Sequence, residues 1–268
     1  MTNAQTTEIS EPSPRETIAN LIASIVSEPE RYALFFDIDG TLLDLAETPD
    51  AIKVPEGLTD DLIALSAHLN GALALVTGRA LSYADTLFSP HRFPIAGLHG
   101  TERRLLDGNI IRAEPTAEFL EVKQRLATLP ESFPGVLVED KGAAVAVHFR
   151  QVPELANHVG EAMRVAIAKV GAGYTLQHGK MVLEIRPDNA DKGGALEAYL
   201  AEPPFAGRIP IAFGDDVTDE AMFKLVNAKG GKSIHIGAPT DSTIARKRLS
   251  RPQAVRDMIA SIVRKRLY

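Results

Sequence analysis

The chain has 268 residues, 45% of them hydrophobic, which is enough for one large domain or a domain with a sizeable insertion. Its formal net charge of -6 provides no basic surface for nucleic acid or an anionic membrane, so we expect neither partner. Because the chain contains no cysteine, disulfides, thiolate metal sites and thiol nucleophiles are excluded.

The N-terminal segment 1–15 is polar, and it lacks both the positive start and the apolar stretch of a signal peptide. No uninterrupted apolar segment approaches the roughly 20 residues that cross a bilayer. We therefore expect a flexible tail and a lead-in helix over residues 1–30, and a cytoplasmic location. The sequence leaves the oligomeric state open, with a monomer as the simplest expectation.

Strands and helices alternate in the two outer parts of the chain. Short apolar runs predict buried strands at 32–36, 72–76, 209–213 and 233–236. Apolar residues at helical spacing predict helices at 57–70, 80–88 and near 218–226. Strands that alternate with helices pair in parallel through right-handed crossovers. The predicted fold class is therefore α/β, a three-layer Rossmann-like parallel sheet with helices on both faces.

The middle of the chain has a different pattern. The pair Asp107-Gly108 is typical of a tight hairpin, and residues 136–149 predict two strands joined at 140–142. Helical stretches at 116–129 and 153–170 interleave with these strands and with a strand at 181–185. Hairpins with helices indicate an α+β module. We therefore predict an inserted α+β cap at residues 102–187 and a catalytic core formed by residues 31–101 and 188–268.

Polar side chains follow the predicted strands, at the edge of an open α/β sheet where ligands bind. Asp37 and Asp39 follow the first strand and Thr77 the second. The pair Asp215-Asp216 follows the third strand, and Lys192 begins the helix before it. Phosphoryl transfer requires a positioned nucleophile, a divalent cation, hydroxyl donors and a cationic side chain. These stretches together predict a phosphoryl-transfer site.

Each of these requirements has a candidate residue. Asp37 would attack phosphorus to form an aspartyl-phosphate, and Asp39 would protonate the leaving oxygen and later deprotonate water. Clustered carboxylates need a cation, and an all-oxygen acidic site suits Mg²⁺. The predicted catalytic residues are Asp37, Asp39, Thr77 and Lys192, and the predicted Mg²⁺ ligands are Asp37, Asp39 through its carbonyl, Asp215 and Asp216.

The order of these motifs resembles the haloacid dehalogenase superfamily. Its pattern of Asp-x-Asp-x-Thr, a later Ser or Thr, a Lys and an acidic pair matches 37–41, Thr77, Lys192 and 215–216. Within it, residues 214–220 and 77–79 resemble the trehalose-6-phosphate phosphatases, a likeness that extends in sequential order over about 32–237. The resemblance implies a phosphatase fold with an inserted cap, dependence on Mg²⁺, and hydrolysis of trehalose 6-phosphate in the last step of trehalose biosynthesis.

The resemblance and the alternation of strand residues indicate substrate-binding side chains. Glu184 and Arg186 share one face of a predicted strand, whereas Leu183 and Ile185 take the opposite face. Charged groups on a sheet face can bind the hydroxyls of a disaccharide, and we expect Glu139, Lys141 and Glu184 to do so. The predicted set is Gly78, Arg79, His99, Gly100, Glu139, Lys141, His148, Arg150, Glu184 and Arg186.

Each motif taken singly also has a plain structural explanation. Asp37 and Asp39 suit a turn, Thr77 suits a helix cap, and Asp219 and Glu220 suit a helix N-terminus. Two other functions stay open: a phosphatase of the same superfamily for another sugar phosphate, such as sucrose 6-phosphate, and a sugar-phosphate binding protein without activity. The substrate is predicted from the resemblance and not from composition or spacing.

Overall fold

The computed structural model describes residues 14–45, 52–179, 181–188, 190–240 and 242–265, so the predicted tail before residue 14 lies outside the described residues. The helices are α1 (Pro14–Ser27), α2 (Leu58–His68), α3 (Leu81–Leu87), α4 (Ala117–Ala127), α5 (Leu129–Ser132), α6 (Ala156–Val170), α7 (Lys192–Leu200), α8 (Glu220–Ala228) and α9 (Pro252–Lys265). The strands are β1 (Tyr32–Asp37), β2 (Leu73–Val76), β3 (Ile95–Gly97), β4 (Glu102–Arg104), β5 (Ile110–Arg112), β6 (Leu137–Asp140), β7 (Val145–His148), β8 (Tyr174–Gly179), β9 (Val182–Pro187), β10 (Ile209–Gly214), β11 (Lys232–Ile236) and β12 (Lys247–Leu249).

The larger of two sheets has eight strands in the order β12-β11-β10-β1-β2-β3-β4-β5. Neighbours from β12 to β3 are parallel, whereas β4 and β5 extend the sheet in antiparallel fashion. The predicted α/β class is confirmed, with an antiparallel edge added to the parallel sheet. Since β1 lies between β2 and β10, the loops that follow these three strands open at one edge of the sheet.

The centre of the larger sheet is tightly packed around β1. All six residues of this strand are buried, and the ring of Phe36 stacks on that of Phe213 in β10 at 4.5 Å. Burial of one such side chain contributes about 1.5–3 kcal/mol to folding. The packing of β1 on β10 therefore fixes the positions of the two loops that follow Asp37 and Gly214.

The hairpin of β4 and β5, which the sequence analysis places in the insertion, pairs with the larger sheet. Ile95 of β3 is in register with Arg104 of β4. A short 3-10 helix, Leu98–Gly100, reverses the chain between these strands, with His99 at a positive φ of 56°. The Arg104 guanidinium then pairs with the Asp85 carboxylate at 2.6 Å, which fastens the hairpin to α3. The hairpin therefore belongs to the larger sheet, and the strands of the smaller sheet, β6 to β9, come after it in the chain.

The smaller sheet is antiparallel, with the order β6-β7-β9-β8. Residues of β9 alternate between half-buried and buried, and Leu183 and Ile185 join a hydrophobic core shared with α4 and α6. This core is separate from that of the larger sheet. Glu184 and Arg186 point to the opposite face, as the alternation predicts. In the part of the chain that the structure describes, no helix has the length and apolar character to cross a bilayer.

Candidate active site

Asp37 and Lys192, which are 155 positions apart in the sequence, form a buried ion pair. Asp37 is the last residue of β1, and its carboxylate Oδ1 accepts a hydrogen bond from Lys192 Nζ at 2.6 Å. Lys192 is the first residue of α7, whose N-terminus is capped by the Asp191 side chain. Burial alone would lower the pKa of Lys192, but the carboxylates of Asp37 and Asp219 outweigh burial and raise it. The two carboxylates therefore favour the charged form of Lys192 beside Asp37.

Asp219 holds this ion pair in place, a role that sequence analysis underestimated. Its Oδ1 accepts from Lys192 Nζ at 2.6 Å, and its Oδ2 accepts from the backbone N–H groups of Asp215 and Asp216 at 2.9 and 3.0 Å. The side chain is fully buried, and a Cβ on Gly214 would overlap its carboxyl group. Asp219 therefore fixes the loop after β10 as well as the lysine.

Asp37, Asp215 and Asp219 form an acidic cluster that suits a hard divalent cation. One carboxylate oxygen of each lies within 4.8 Å of the others. Burial raises the pKa of Asp37 well above its ordinary value and that of Asp215 to about 6, and the neighbouring carboxylates contribute to both shifts. A Cβ on Gly40, which has a positive φ of 81°, would overlap the Asp215 carboxylate. A cation bound by oxygen ligands would offset the charge that burial disfavours.

Two of the predicted metal ligands have other partners in the structure. The Asp216 side chain accepts a hydrogen bond from the backbone N–H of Val217 and caps the short 3-10 helix Val217–Asp219. Asp39 accepts two hydrogen bonds from Arg79, at 2.7 Å to Oδ2 and 2.9 Å to Oδ1. Neither carboxylate belongs to the acidic cluster among the described residues. Metal binding by Asp216, and by the Asp39 carbonyl, stays a prediction.

Arg79 fixes the orientation of Asp39 beside the cluster. Its guanidinium also lies over the ring of Tyr83 at 4.2 Å, and its backbone N–H donates to Thr77 Oγ1 at 3.1 Å. A planar guanidinium that binds both carboxylate oxygens defines the carboxylate plane as well as its position. The segment 77–79 therefore links the ends of β1 and β2.

The predicted catalytic residues line one cavity of about 530 Å³. Its volume falls within the range of about 300–1,000 Å³ for small-molecule sites. It is lined by Asp37, Asp39, Leu45, Thr77, Gly78, Arg79, His99, Lys192, Asp215, Asp216 and Thr218. The strand ends that the sequence places far apart therefore meet in a common cleft.

The charged residues predicted for substrate binding on the smaller sheet form an ion-pair network. Lys141 Nζ lies 2.8 Å from Glu184 Oε2 and 3.9 Å from Glu139 Oε2, and His148 Nε2 lies 2.9 Å from Glu139 Oε2. Cross-strand pairing of Glu139 with Ala146, and of Ala146 with Glu184, puts these side chains on one face.

Some of the predicted substrate-binding residues lie apart from the catalytic cavity. Glu139, His148 and Arg150 line a second cavity of about 510 Å³ on the smaller sheet. Gly100 lies against α7 instead, where a Cβ would come within 3.0 Å of the Asp191 carbonyl oxygen. Gly100 therefore permits close packing, and it lines a smaller cavity of about 230 Å³ together with Thr101, Arg103 and Ala195.

A family model described as trehalose-phosphatase matches residues 35–256, which include the whole cavity. The chain belongs to the trehalose-phosphatase family. It is 52% identical over 243 residues to a probable trehalose-phosphate phosphatase of Sinorhizobium fredii, covering 91% of this chain and 92% of that one. It is 42% identical over 223 residues to the trehalose-6-phosphate phosphatase of Escherichia coli, with 82% of each chain covered.

Solved structures of similar proteins share the fold. The C-terminal domain of the C. albicans trehalose-6-phosphate phosphatase gives a TM-score of 0.71 at 21% identity and covers 91% of this chain and 96% of its own. A phosphatase of the haloalkanoate (HAD) enzyme superfamily from Bacteroides thetaiotaomicron gives 0.61 at 16% identity, with 95% and 97% covered. At these identities the likeness concerns the fold alone, and it agrees with the predicted α/β fold class.

Proposed function

We propose that this member of the trehalose-phosphatase family hydrolyses trehalose 6-phosphate to trehalose and phosphate with the help of Mg²⁺. The observation that carries the proposal is the buried Asp37–Lys192 pair at 2.6 Å, in a cavity that also contains Asp39, Thr77 and Asp215. Membership of the family and the E. coli relative support trehalose 6-phosphate as the substrate. The two alternatives, a preference for sucrose 6-phosphate and binding without hydrolysis, are outcomes of the test below.

Asp37 is the proposed nucleophile. One of its carboxylate oxygens forms a bond to phosphorus while the bond from phosphorus to the sugar oxygen breaks, which leaves an aspartyl-phosphate. Lys192 stays charged beside Asp37 and offsets the negative charge of the reacting group. The Thr77 hydroxyl lines the same cavity and would donate a hydrogen bond to a phosphoryl oxygen.

Asp39 is the proposed acid and base. It gives a proton to the departing sugar oxygen, and afterwards takes one from the water that attacks phosphorus and regenerates Asp37. Arg79 donates one hydrogen bond to each Asp39 oxygen and so fixes the carboxylate, and each oxygen keeps a further lone pair that can carry the transferred proton.

The acidic cluster is the proposed Mg²⁺ site, held by Asp37 and Asp215, with the Asp39 carbonyl and Asp216 as the further predicted ligands. A bound Mg²⁺ supplies charge neutralisation for the phosphoryl group and for the carboxylates. Asp219 supports the site through its hydrogen bonds to Lys192 and to the backbone of the Asp215 loop.

We also propose that the inserted segment is a cap that recognises the sugar, within the predicted bounds 102–187. Within these bounds, the separate core of the smaller sheet begins with α4. The hairpin of β4 and β5, which precedes α4, belongs to the larger sheet and connects the two parts. Glu139, Lys141 and Glu184 are the proposed ligands of the disaccharide, and His148 and Arg150 extend their surface. A cytoplasmic location and a monomeric state complete the proposal.

Phosphate release tests this function directly. The purified chain is assayed with trehalose 6-phosphate, sucrose 6-phosphate and glucose 6-phosphate, with Mg²⁺ or with EDTA. We expect the highest kcat/KM on trehalose 6-phosphate, no release in EDTA, and none from Asp37→Asn, which removes the nucleophile at constant volume. A preference for sucrose 6-phosphate would refute the substrate, and wild-type release by Asp37→Asn would refute the mechanism.

A further inference from the structure

The cavity of about 230 Å³ lies where the chain passes between the larger and the smaller sheet. Ala113, between β5 and α4, and Ala190, between β9 and α7, both line it, so it touches both connections between the two units. The other walls are the β4–β5 hairpin and one face of α7, with Gly194, Ala195 and Ala198. We call this space the junction cavity.

The junction cavity is separate from the catalytic cavity but adjoins it. The two have no lining residue in common. His99 lines the catalytic cavity and Gly100 the junction cavity, and Lys192 lines the catalytic cavity and Gly194 the junction cavity. The turn at 98–100 and the first turn of α7 therefore form the wall between the two spaces.

Arg103 of β4 brings an unpaired hydrogen-bond donor to the junction cavity. The residue is only 8% exposed and lines the cavity. Its Nη2 donates to Glu202 Oε1 at 3.0 Å, and its guanidinium lies over the ring of Tyr199 at 5.0 Å. Its Nη1 is buried and has no hydrogen-bond partner among the residues that the structure describes. Since folded proteins rarely leave a buried donor unpaired, an acceptor is expected beside Arg103.

The charge of the lining favours an anion as that acceptor. Two arginines, Arg103 and Arg112, line the junction cavity, and no carboxylate is among its described lining residues. The acids that pair with them, Glu202 and Glu102, lie outside the lining, and the Asp191 carboxylate caps α7. The N-terminus of α7 adds a partial positive charge to the same space. A guanidinium binds two oxygens of one phosphate or carboxylate group, which suits this charge.

The size of the cavity limits the anion. Its volume is below the range of about 300–1,000 Å³ that holds drug-sized ligands, so it suits a ligand of few atoms. Binding requires the Arg103 guanidinium to turn its buried Nη1 toward the anion. A single ion pair holds this group, and the Glu202 side chain of that pair is 40% exposed, so the pair can follow the movement.

We propose that the junction cavity binds a small oxyanion, either free phosphate or a small carboxylate, through Arg103, with Arg112 at its rim. This site adds to the proposed function, and the binding itself does not depend on that function. An anion there lies across the wall from the substrate phosphate. Because like charges repel, it should raise KM for trehalose 6-phosphate.

Titration calorimetry in EDTA tests the binding, with inorganic phosphate and succinate as the two probes at equal ionic strength. Without Mg²⁺ the acidic cluster of the catalytic cavity repels anions, so EDTA directs binding to the junction cavity. One variant is Arg103→Lys, which keeps the charge but loses the two-point contact, and another is Ala198→Leu, which fills the space. Matched controls are Arg125→Lys and Ala168→Leu, at exposed positions of helices in the smaller unit.

We expect one anion per wild-type chain, and the probe that binds more tightly identifies the phosphate or the carboxylate as the group recognised. Arg103→Lys should weaken binding about tenfold, Ala198→Leu should abolish it, and the controls should stay within about twofold of the wild type. No binding of either probe by the wild type at about 10 mM would overturn the inference. Wild-type affinity in Ala198→Leu would overturn it as well.

Steady-state kinetics with Mg²⁺ test the effect on the catalytic cavity. The bound probe should raise KM for trehalose 6-phosphate about twofold more in the wild type than in Ala198→Leu, a comparison that removes direct competition with substrate. Equal rises in both would refute the coupling of the two cavities. A wild-type chain that prefers sucrose 6-phosphate, yet binds the anion in EDTA as expected, would refute the proposed substrate and leave the anion site intact.

Discussion

Replacing Asp219 with alanine should destabilise the protein more than its position near a helix N-terminus suggests. The change leaves Lys192 with one counter-ion, and it leaves the backbone N–H groups of Asp215 and Asp216 without an acceptor. Because Lys192 keeps Asp37 as a counter-ion, the lost charged hydrogen bond costs about 1.5–3 kcal/mol, and each unpaired N–H adds about 1–3 kcal/mol before relaxation. We expect a net loss of about 4 kcal/mol in the free energy of unfolding, allowing for water that enters the space.

Urea denaturation in EDTA measures this loss without a contribution from bound metal. Asp216→Ala is the matched control: its exposed carboxylate caps one turn, so we expect a loss of only about 1 kcal/mol. Asp219→Ala should also lower kcat at least about 100-fold with Mg²⁺ present, since Lys192 and the Asp215 loop lose their support. An unfolding free energy within about 1 kcal/mol of the wild type would refute the structural role of Asp219.

Three further changes test other parts of the site. Arg79→Lys replaces a two-point contact on Asp39 by a single charge, so kcat on trehalose 6-phosphate should fall about tenfold; steady-state kinetics that match the wild type would contradict a positioning role. Burial raises the pKa of Asp215 to about 6, so the folded state binds its proton more tightly than the unfolded chain does. This contribution to the free energy of unfolding is complete below about pH 4 and is lost as the pH rises through about 6. In EDTA, the free energy of unfolding of Asp215→Asn should therefore fall by about 1–2 kcal/mol less than that of the wild type over this pH range. A decline of the same size in Asp215→Asn would contradict the assignment to this group. Glu184→Gln breaks the ion pair with Lys141 at 2.8 Å, so KM for trehalose 6-phosphate should rise about tenfold while kcat changes little; an unchanged KM would place disaccharide recognition elsewhere.

The sequence predicts which polar residues meet in the cavity because the signal is local. Apolar runs identify the strands, and the polar residues directly after them must lie at the same edge of a parallel sheet. This reasoning brings Asp37 and Asp215 to one edge. Lys192 instead begins the helix that leads into β10, and its Nζ lies 2.6 Å from Asp37 Oδ1.

Side-chain direction is harder to predict than position. Asp39 and Asp216 lie within two residues of the acidic cluster in the sequence, yet the Asp39 carboxylate accepts hydrogen bonds from Arg79 and the Asp216 carboxylate caps a turn. Asp219 looked like an ordinary helix cap, although its spacing of three residues from Asp216 is the signal of a capping box. Which of two nearby acids turns inward depends on packing such as the contact with Gly214.

Two elements of the fold show the limits of pattern reasoning. The hairpin at 102–112 has the turn signal of a separate module, and only its long-range pairing with β3 assigns it to the large sheet. Helix α9 lies beyond the motifs, although Val255, Ile259 and Ile262 recur at helical spacing and are buried. Its apolar face was visible in the sequence, whereas its packing against α1 and α2 was not.

The central claim is that Asp37 itself receives the phosphoryl group. Rapid acid quench of the enzyme with Mg²⁺ and trehalose 6-phosphate, followed by proteolysis and mass spectrometry, shows which side chain carries phosphate. The account predicts a phosphorylated peptide with the modification on Asp37, formed before free phosphate accumulates and missing in Asp37→Asn. Phosphate release at the full rate with no modified peptide, or with the modification on another residue, would contradict it.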